Sequence, residues 1–222
     1  MDATAILPVK RFARSMTRLT DRVDPPARAN LLRAMLGDVM VALETSEGIE
    51  RIIVVTGESR AEKVAMEAAK RGRTPIEVLR DPDDRGHSEA GVLGIIRAKS
   101  QGAGCVALLP ADCPLIDSAE LDDALGRMAA GRVGVIPDRH GTGTNGLLMA
   151  PGDAIGPAFG NDSCKRHLDR AGRAGWEAAS VPLASMGLDL DTPDDLDELC
   201  RRLETNPDAA ARTAAAVAEL PR

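Results

Sequence analysis

The sequence predicts an α/β protein built on a mostly parallel sheet, with helices on both sides and a small antiparallel excursion. Aliphatic runs alternate with segments of helical periodicity over the first 130 residues, which is typical of βαβ units. Residues 105–109 are apolar at every position, as in a central parallel strand. After Ala130, two aliphatic runs are separated only by a turn rich in glycine and threonine. Because this turn has no room for a crossover helix, the two runs are expected to pair antiparallel.

Each strand is predicted from a run of aliphatic or β-branched residues bounded by glycine, proline or charged residues. In chain order these runs are residues 3–9, 51–55, 76–79, 105–109, 133–137 and 147–150. Leucine and aspartate alternate near residue 190, so a last strand is expected to end at residues 189–191.

Each helix is predicted from apolar residues that recur every three to four positions. In chain order, helices are expected at residues 28–44, 62–70, 88–99, 118–128 and 163–175, and from residue 193 onward. The apolar face expected for the third helix consists of aliphatic residues, Val92, Leu93, Ile95 and Ile96. The last helix has a strong start, with Thr192 as N-cap, Pro193 at the first position and Asp195 three residues after the cap.

The composition excludes several classes of protein. The 222 residues suggest one domain, residues 1–204, followed by an alanine-rich tail, residues 205–222. A net charge of −6 and only three aromatic residues argue against a general polyanion binder and against a base-stacking platform. No apolar run approaches the roughly 20 residues that cross a bilayer, and neither a secretory pattern nor a CxxC pair is present. We therefore expect a cytoplasmic protein with reduced thiols and with no nucleic-acid or membrane partner.

Basic residues are concentrated just after the first strand. Between residues 10 and 33 there are seven lysines and arginines against two aspartates, an excess that opposes the charge of the whole chain. Clustered cations after a strand suit an oligophosphate. The alternative is an ordinary solvated loop.

Carboxylates follow two of the predicted strands. Asp112 comes directly after the buried run 105–109, where a cation bridging ligand phosphates would lie. Asp189 and Asp191 project to the same face if their segment is extended. We assign these three aspartates to a metal or a substrate, although an aspartate that only shapes a turn is the alternative for Asp112.

Two further segments are candidates for binding an anion. Residues 141–146 match GxGxxG, but a strand-like run follows instead of a helix, so we reject a dinucleotide fingerprint. The backbone N–H groups of such a turn can still bind phosphate or carboxylate. Residues 159–163 open a helix with small residues, which favours an anion site, although an ordinary N-cap explains them equally well.

Together these segments resemble the 2-phospho-L-lactate guanylyltransferase family of coenzyme F420 biosynthesis. The resemblance covers about residues 3–203 and rests on five motifs in order: LPVK with its basic loop, LPADCP, GTGTN, FGxxS with the helical His167, and LDLDTPDDL. It implies a Rossmann-like nucleotide-diphospho-sugar-transferase (GT-A-like) fold. It also implies transfer of GMP from GTP to 2-phospho-L-lactate, phosphoenolpyruvate or 3-phospho-D-glycerate, with release of pyrophosphate.

Matching the motifs residue by residue implies a role for each candidate. Asp112, Asp189 and Asp191 match the magnesium carboxylates, so Mg²⁺ is the implied cofactor. Contact with the phosphorylated acid is implied for Thr144, Gly160 and Ser163. Lys10 and Arg18 fall in the loop that binds the GTP phosphates and, with Asp112, are the implied catalytic residues.

Two positions differ from the family pattern. Met16 stands where a lysine is common, which leaves either weaker GTP binding or a substitution by Arg14. Ser88 lies near a position where asparagine is common in the family, and this difference affects the implied contacts with guanine or ribose. These differences motivate one alternative, a nucleotide-binding regulatory module without catalysis.

Other nucleotide-dependent enzymes are further alternatives. A molybdenum-cofactor nucleotidyltransferase shares the implied fold, but its glycine-rich opening is absent here. A GDP-sugar glycosyltransferase shares the fold and an Asp-x-Asp pair. The family's product is labile, which implies a downstream transferase of the same pathway as a partner. The choice of acid and any homo-oligomer stay open at this point.

Overall fold

A single seven-stranded sheet organises the residues that the computed structural model describes, 2–220. Its strands in chain order are β1 Ala3–Val9, β2 Ile49–Thr56, β3 Ile76–Arg80, β4 Val106–Leu108, β5 Arg132–Pro137, β6 Thr144–Ala150 and β7 Glu177–Ser180. Their order across the sheet is β3-β2-β1-β4-β6-β5-β7. Only β6 runs antiparallel to its neighbours, β4 and β5. The predicted α/β class with a mostly parallel sheet and an antiparallel excursion is confirmed.

Helices cover both faces of this sheet. They are α1 Pro25–Thr45, α2 Ser59–Ala69, α3 His87–Ser100, α4 Ser118–Gly126, α5 Ser163–Arg173, α6 Pro193–Thr205 and α7 Ala211–Ala218. The period-two alternation of strand side chains divides the core between the faces. On β2, Ile52 and Val54 pack with α1 on one face, whereas Ile53 and Val55 pack with α3 on the other. Within residues 2–220, no helix is both long and apolar enough to cross a membrane.

The predicted apolar face of α3 is wrong in part. Val92 and Ile96 are exposed, by 39% and 61%, while Gly91, Gly94 and Ile95 are buried against the sheet. A Cβ atom at Gly94 would lie 2.3 Å from Cγ2 of Ile6 on β1, so only glycine allows this close approach. The helix therefore packs on its smallest residues, which a search for large apolar residues overlooks.

The last predicted strand is also wrong. Residues 187–191 form no strand, and the seventh strand is instead β7, which pairs parallel with β5. The helix start after them is confirmed, because Thr192 and Asp195 form a capping box at the N-terminus of α6.

The chain after α6 packs against α1 through a buried polar contact. The Asp38 carboxylate accepts hydrogen bonds from the backbone N–H and the hydroxyl of Thr213, at 2.8 and 2.7 Å, and from the Arg212 backbone N–H at 3.2 Å. Thr213 is fully buried. The division of the chain at residue 205 stays a prediction, but the described tail residues are fixed by this contact.

We predict that Asp38→Ala lowers the free energy of unfolding by about 2–3 kcal/mol, because it leaves the buried N–H and hydroxyl of Thr213 without an acceptor. Urea denaturation measures the loss, and trypsin should cleave the variant faster at Arg212. Asp123→Ala is the matched control, since Asp123 is exposed and its ion pair with Arg127 is worth little. Equal unfolding midpoints for the two variants would contradict the docking role of Asp38.

Candidate active site

A cleft of about 550 Å³ opens where β1 and β4 end and β6 begins. The residues predicted from sequence all line this one cleft: Lys10, Arg18, Asp112, Thr144, Gly160, Ser163, Asp189 and Asp191. A smaller hollow of about 260 Å³ adjoins it and shares Lys10, Arg18 and Asp112 with it. Because β6 is antiparallel to β4, its first residue, Thr144, reaches the same sheet edge as the residues after β4.

One backbone hydrogen bond brings the aspartates together. The Leu190 N–H donates to the Asp112 carbonyl at 3.1 Å, which fixes Asp189 and Asp191 on either side of that bond. Leu190 itself is fully buried in the core. Since side chains alternate along the segment, its leucine faces the core while both of its aspartates line the cleft.

Neighbouring side chains hold the segment before Leu190 in place. Buried Asn145 donates through its side-chain amide to the Met186 carbonyl at 2.8 Å and to Oδ1 of Asp189 at 3.2 Å. Glu120 on α4 accepts hydrogen bonds from the N–H groups of Ala184 and Ser185, at 2.7 and 2.9 Å. Asn145 therefore holds the Asp189 carboxylate directly, while Glu120 holds the backbone that leads to it.

Positive charge compensates the carboxylate cluster only in part, since burial and the other aspartates raise the pKa of Asp112 more than Lys10 lowers it. Burial raises the pKa of Asp112 to about 7, and the charges of Asp189 and Asp191 add to this shift. Burial also raises the pKa of Asp189, although the hydrogen bond from Asn145 opposes the shift. Arg18 lies 3.9 Å from the Asp191 carboxylate, but both side chains are largely exposed, so this ion pair neutralises little.

The donor set fits a hard divalent cation that is shared with a ligand. Among residues 2–220, no group of three histidine, cysteine or acidic side chains is close enough to form a complete metal site. Mg²⁺, however, usually takes one or two protein carboxylates and completes its shell with water and phosphate oxygens. Asp112 and Asp189 provide such a pair, and the charge of Asp189 adds to burial in raising the pKa of Asp112.

The opposite wall of the cleft is formed by the turn before β6 and the start of α5. The Asp138 carboxylate holds the turn by accepting from the N–H groups of His140 and Thr142, at 3.1 and 2.9 Å. The Cys164 N–H donates to the Thr142 carbonyl at 3.0 Å, which joins the turn to α5. Gly160 adopts φ +109°, a conformation that favours glycine. This wall presents hydroxyl and backbone N–H groups, which suit an anion.

Sequence reasoning missed the contacts of two residues behind this wall. His167 is fully buried, and its Nδ1 lies 3.0 Å from the Thr144 hydroxyl. Phe159 packs edge-on against the rings of His167 and His87, with centroid distances of 5.3 and 4.5 Å. The FGxxS motif and the helical His167 are visible in the sequence, but their spacing does not show which strand the histidine contacts.

Only part of the basic segment faces the two hollows. Lys10, Arg14 and Arg18 line them, whereas the other basic residues of the segment, Arg11, Arg22, Arg28 and Arg33, do not. Fewer basic residues are therefore in place to bind phosphate than the charge of the segment suggests.

Met16 and Ser88, the two residues that differ from the family pattern, both have defined contacts in the structure. Met16 is buried with φ +53°, so its side chain is part of the core under the basic loop. Arg14 lies beside it in the loop and pairs with Asp84 at 3.2 Å. The Ser88 hydroxyl accepts a hydrogen bond from the Phe159 N–H at 3.1 Å, and thus joins the start of α3 to the wall that carries Gly160.

Solved structures with this fold define the class of protein. A protein classed as a nucleotide-diphospho-sugar transferase from Desulfovibrio desulfuricans G20 superposes with a TM-score of 0.71 at 20% identity, covering 99% of this chain and 95% of its own. A nucleotidyl transferase from Methanothermobacter thermautotroptrophicus gives a TM-score of 0.63 at 16% identity, covering 92% and 99%. The fold is that of the nucleotide-diphospho-sugar transferases.

Sequence similarity then gives the family. The model of the CofC-like guanylyl transferases matches residues 3–206. A phosphoenolpyruvate guanylyltransferase from Conexibacter woesei is 40% identical over 215 residues, which cover 96% of this chain and 94% of that protein. One from Sphaerobacter thermophilus is 33% identical over 199 residues, covering 90% and 93%. The chain belongs to the CofC-like guanylyl transferase family, as its motifs predict, and is a nucleotidyltransferase.

We predict that Asp112→Asn stabilises the metal-free protein more at pH 8 than at pH 5. With its pKa raised to about 7, the folded state keeps a proton on Asp112 that the unfolded chain releases above pH ~4. The wild type therefore loses stability as the pH rises from ~4 to about 7, and asparagine removes this loss. The gain should be larger at pH 8 by about 2 kcal/mol. Urea unfolding with a chelator present measures it.

Asp123→Asn is the control for this experiment, because Asp123 is an exposed residue of α4. Its effect should be small at both pH values. If Asp112→Asn changes stability equally at pH 5 and pH 8, the pKa of Asp112 is not raised as described here.

Proposed function

We propose that this protein transfers GMP from GTP to a phosphorylated three-carbon acid, with release of pyrophosphate, as a step of coenzyme F420 biosynthesis. The observation that carries the proposal is that one cleft is lined by the carboxylate cluster, by Lys10 and Arg18, and by the hydroxyl and backbone groups of the turn before β6 and the start of α5. Family membership supports guanylyl transfer. Because the relatives are named phosphoenolpyruvate guanylyltransferases, phosphoenolpyruvate is the first acid to test, before 2-phospho-L-lactate and 3-phospho-D-glycerate.

The nucleotide is proposed to bind on the cationic side. Lys10 follows β1, and Arg18 lies farther along the same loop, so both line the smaller hollow as well as the main cleft. Their charges offset those of the GTP phosphates, and Arg14 supplements them from the same loop. The triphosphate then lies directly beside Asp112.

Mg²⁺ is proposed as the cofactor. Asp112 and Asp189 would hold the ion, and Asp191, which pairs with Arg18 and completes no group of three metal ligands within residues 2–220, would position that arginine beside the site. When bound, Mg²⁺ would neutralise the phosphate charges and stabilise the charge that develops as pyrophosphate departs. Binding of Mg²⁺ would also remove the electrostatic cost of keeping these carboxylates ionised in the cleft.

The acid is proposed to bind on the opposite wall. Thr144 supplies a hydroxyl at the start of β6, and buried Ser163 supplies one at the first turn of α5. Gly160 exposes backbone N–H without a side chain in the way. Such groups bind a carboxylate or a phosphate without adding a full positive charge, so the acid's phosphate remains a nucleophile.

The reaction needs positioning more than a protein nucleophile. A phosphate oxygen of the acid forms a bond to the α-phosphorus of GTP, and the bond between that phosphorus and the oxygen bridging to the β-phosphorus breaks. The bond electrons leave with pyrophosphate, and no oxidant or proton donor is required. Two unit charges ~4 Å apart repel by about 4 kcal/mol at an effective dielectric near 20. Lys10, Arg18 and the aspartate-bound cation therefore make the approach of two anions feasible.

The test is a substrate panel with Mg²⁺, GTP and each of the three acids, run with the next transferase of the pathway because the product is labile. We expect pyrophosphate release with at least one acid, and its loss by a factor of about 10²–10³ in Asp112→Asn, the size of effect seen when one key electrostatic group is removed. Chelation should abolish release, and added Mg²⁺ should restore it.

Asp123→Asn is the activity control and should keep wild-type turnover. GTP binding without pyrophosphate release on any acid would favour the non-catalytic regulatory module instead. Release that requires a molybdenum-cofactor precursor would favour the other nucleotidyltransferases. Wild-type turnover in Asp112→Asn would remove the proposed centre.

A further inference from the structure

His167 lies outside the cleft but contacts one of its residues. Its ring is fully buried, Nδ1 lies 3.0 Å from the Thr144 hydroxyl oxygen, and Nε2 lies 2.7 Å from the backbone nitrogen of Ala158. Both ring nitrogens are therefore in hydrogen bonds, to two separate segments of the chain.

These partners determine the tautomer of the ring. A backbone N–H can only donate, so Nε2 must accept from Ala158 and carries no proton. A neutral imidazole then carries its proton on Nδ1 and donates it to Thr144. The neutral form is favoured because burial, assisted by Arg170 and Arg166 on the same helix, lowers the pKa of His167 to about 4.

The direction of this hydrogen bond decides what Thr144 can offer to a ligand. A hydroxyl has one proton and two lone pairs. Because one lone pair of Thr144 is used by His167, its proton is free to turn towards the cleft that the residue lines. Hydrogen bonds in such a chain polarise one another, which strengthens the outer donor.

We propose that His167 is a positioning residue that makes Thr144 a fixed hydrogen-bond donor to a carboxylate or phosphate oxygen of the acid. The identity of the ligand rests on the proposed function. A neutral histidine suits this role, since a charged one behind the wall would compete with Lys10 and Arg18 for the anions. The site thereby favours a ligand that places a hydrogen-bond acceptor next to the Thr144 hydroxyl.

A purely structural role for His167 predicts different results. His167 also joins α5 to the segment before it through Ala158, and that contact alone could explain its burial. The two roles use different ring nitrogens, so two neutral substitutions separate them. His167→Asn places an amide N–H near the position of Nδ1 and keeps donation to Thr144. His167→Gln places an amide oxygen near the position of Nε2 and keeps only the contact with Ala158.

Steady-state kinetics with both variants is the test. We expect His167→Gln to raise the KM for the acid about tenfold or more, the effect of one lost hydrogen bond, with the KM for GTP unchanged within about twofold. His167→Asn should keep the KM for the acid within about threefold of wild type. The proposal is overturned if the asparagine variant is the worse one, or if both variants raise the two KM values equally.

Thr144 provides a second route in case a histidine variant does not fold. Thr144→Val should raise the KM for the acid as His167→Gln does, and Thr144→Ser should not, because serine keeps the hydroxyl. Where the double variant Thr144→Val, His167→Gln folds, its loss should be no larger than that of the single variants. Additive losses would show that the two residues act independently and would overturn the proposal.

A measurement without turnover separates this proposal from the proposed function. Nitrogen-15 NMR of the labelled wild-type protein at pH 7 reports which nitrogen of His167 carries the proton, with His167→Asn used to assign the signal. We expect a neutral ring protonated at Nδ1. A proton on Nε2, or on both nitrogens, overturns the proposal even if the enzyme is active. The expected tautomer in a protein that uses none of the three acids would contradict only the proposed function.

Discussion

The active site depends on one backbone hydrogen bond, from the Leu190 N–H to the Asp112 carbonyl. It joins the loop after β4 to the segment before α6, and the buried leucines beside it anchor that segment in the core. Burial of Leu188 and Leu190 is favourable by roughly 2–3 kcal/mol for each side chain. This gain holds Asp189 and Asp191 next to Asp112, although the three negative charges repel. The core therefore stabilises an arrangement that electrostatics alone would disperse.

The proposed function requires a chain of net charge −6 to bind two anions, and the same arrangement would allow this. Lys10 and Arg18 line the cleft on one side, and the hydroxyl and backbone groups around Thr144 line it on the other. In the proposed function, a cation held by the carboxylates would also neutralise the phosphates of both substrates. In the proposed reaction, substrate binding and relief of the carboxylate repulsion therefore depend on the same ion.

Much of the fold could be predicted because its signals are local. Aliphatic runs indicate six of the seven strands, and the structure places the candidate site residues at one edge of the sheet. The edge strand β7 has the sequence EAAS and is largely exposed, so no apolar run marks it. The contact face of α3 depends on the approach of Gly94 to Ile6, and the donor role of Thr144 depends on His167. Such pairings between distant residues are not encoded in any one segment, and the roles of the site residues stay predictions.

The central claim is that Asp112 and Asp189 hold one divalent cation together with the nucleotide. Titration with Mn²⁺, followed by electron paramagnetic resonance in the presence of GTP, tests it most directly, because Mn²⁺ takes the same oxygen ligands as Mg²⁺. The account predicts one tightly bound ion per chain in the wild type, with affinity reduced about tenfold or more in both Asp112→Asn and Asp189→Asn, and unchanged in Asp123→Asn. Wild-type affinity in both of the first two variants would contradict it.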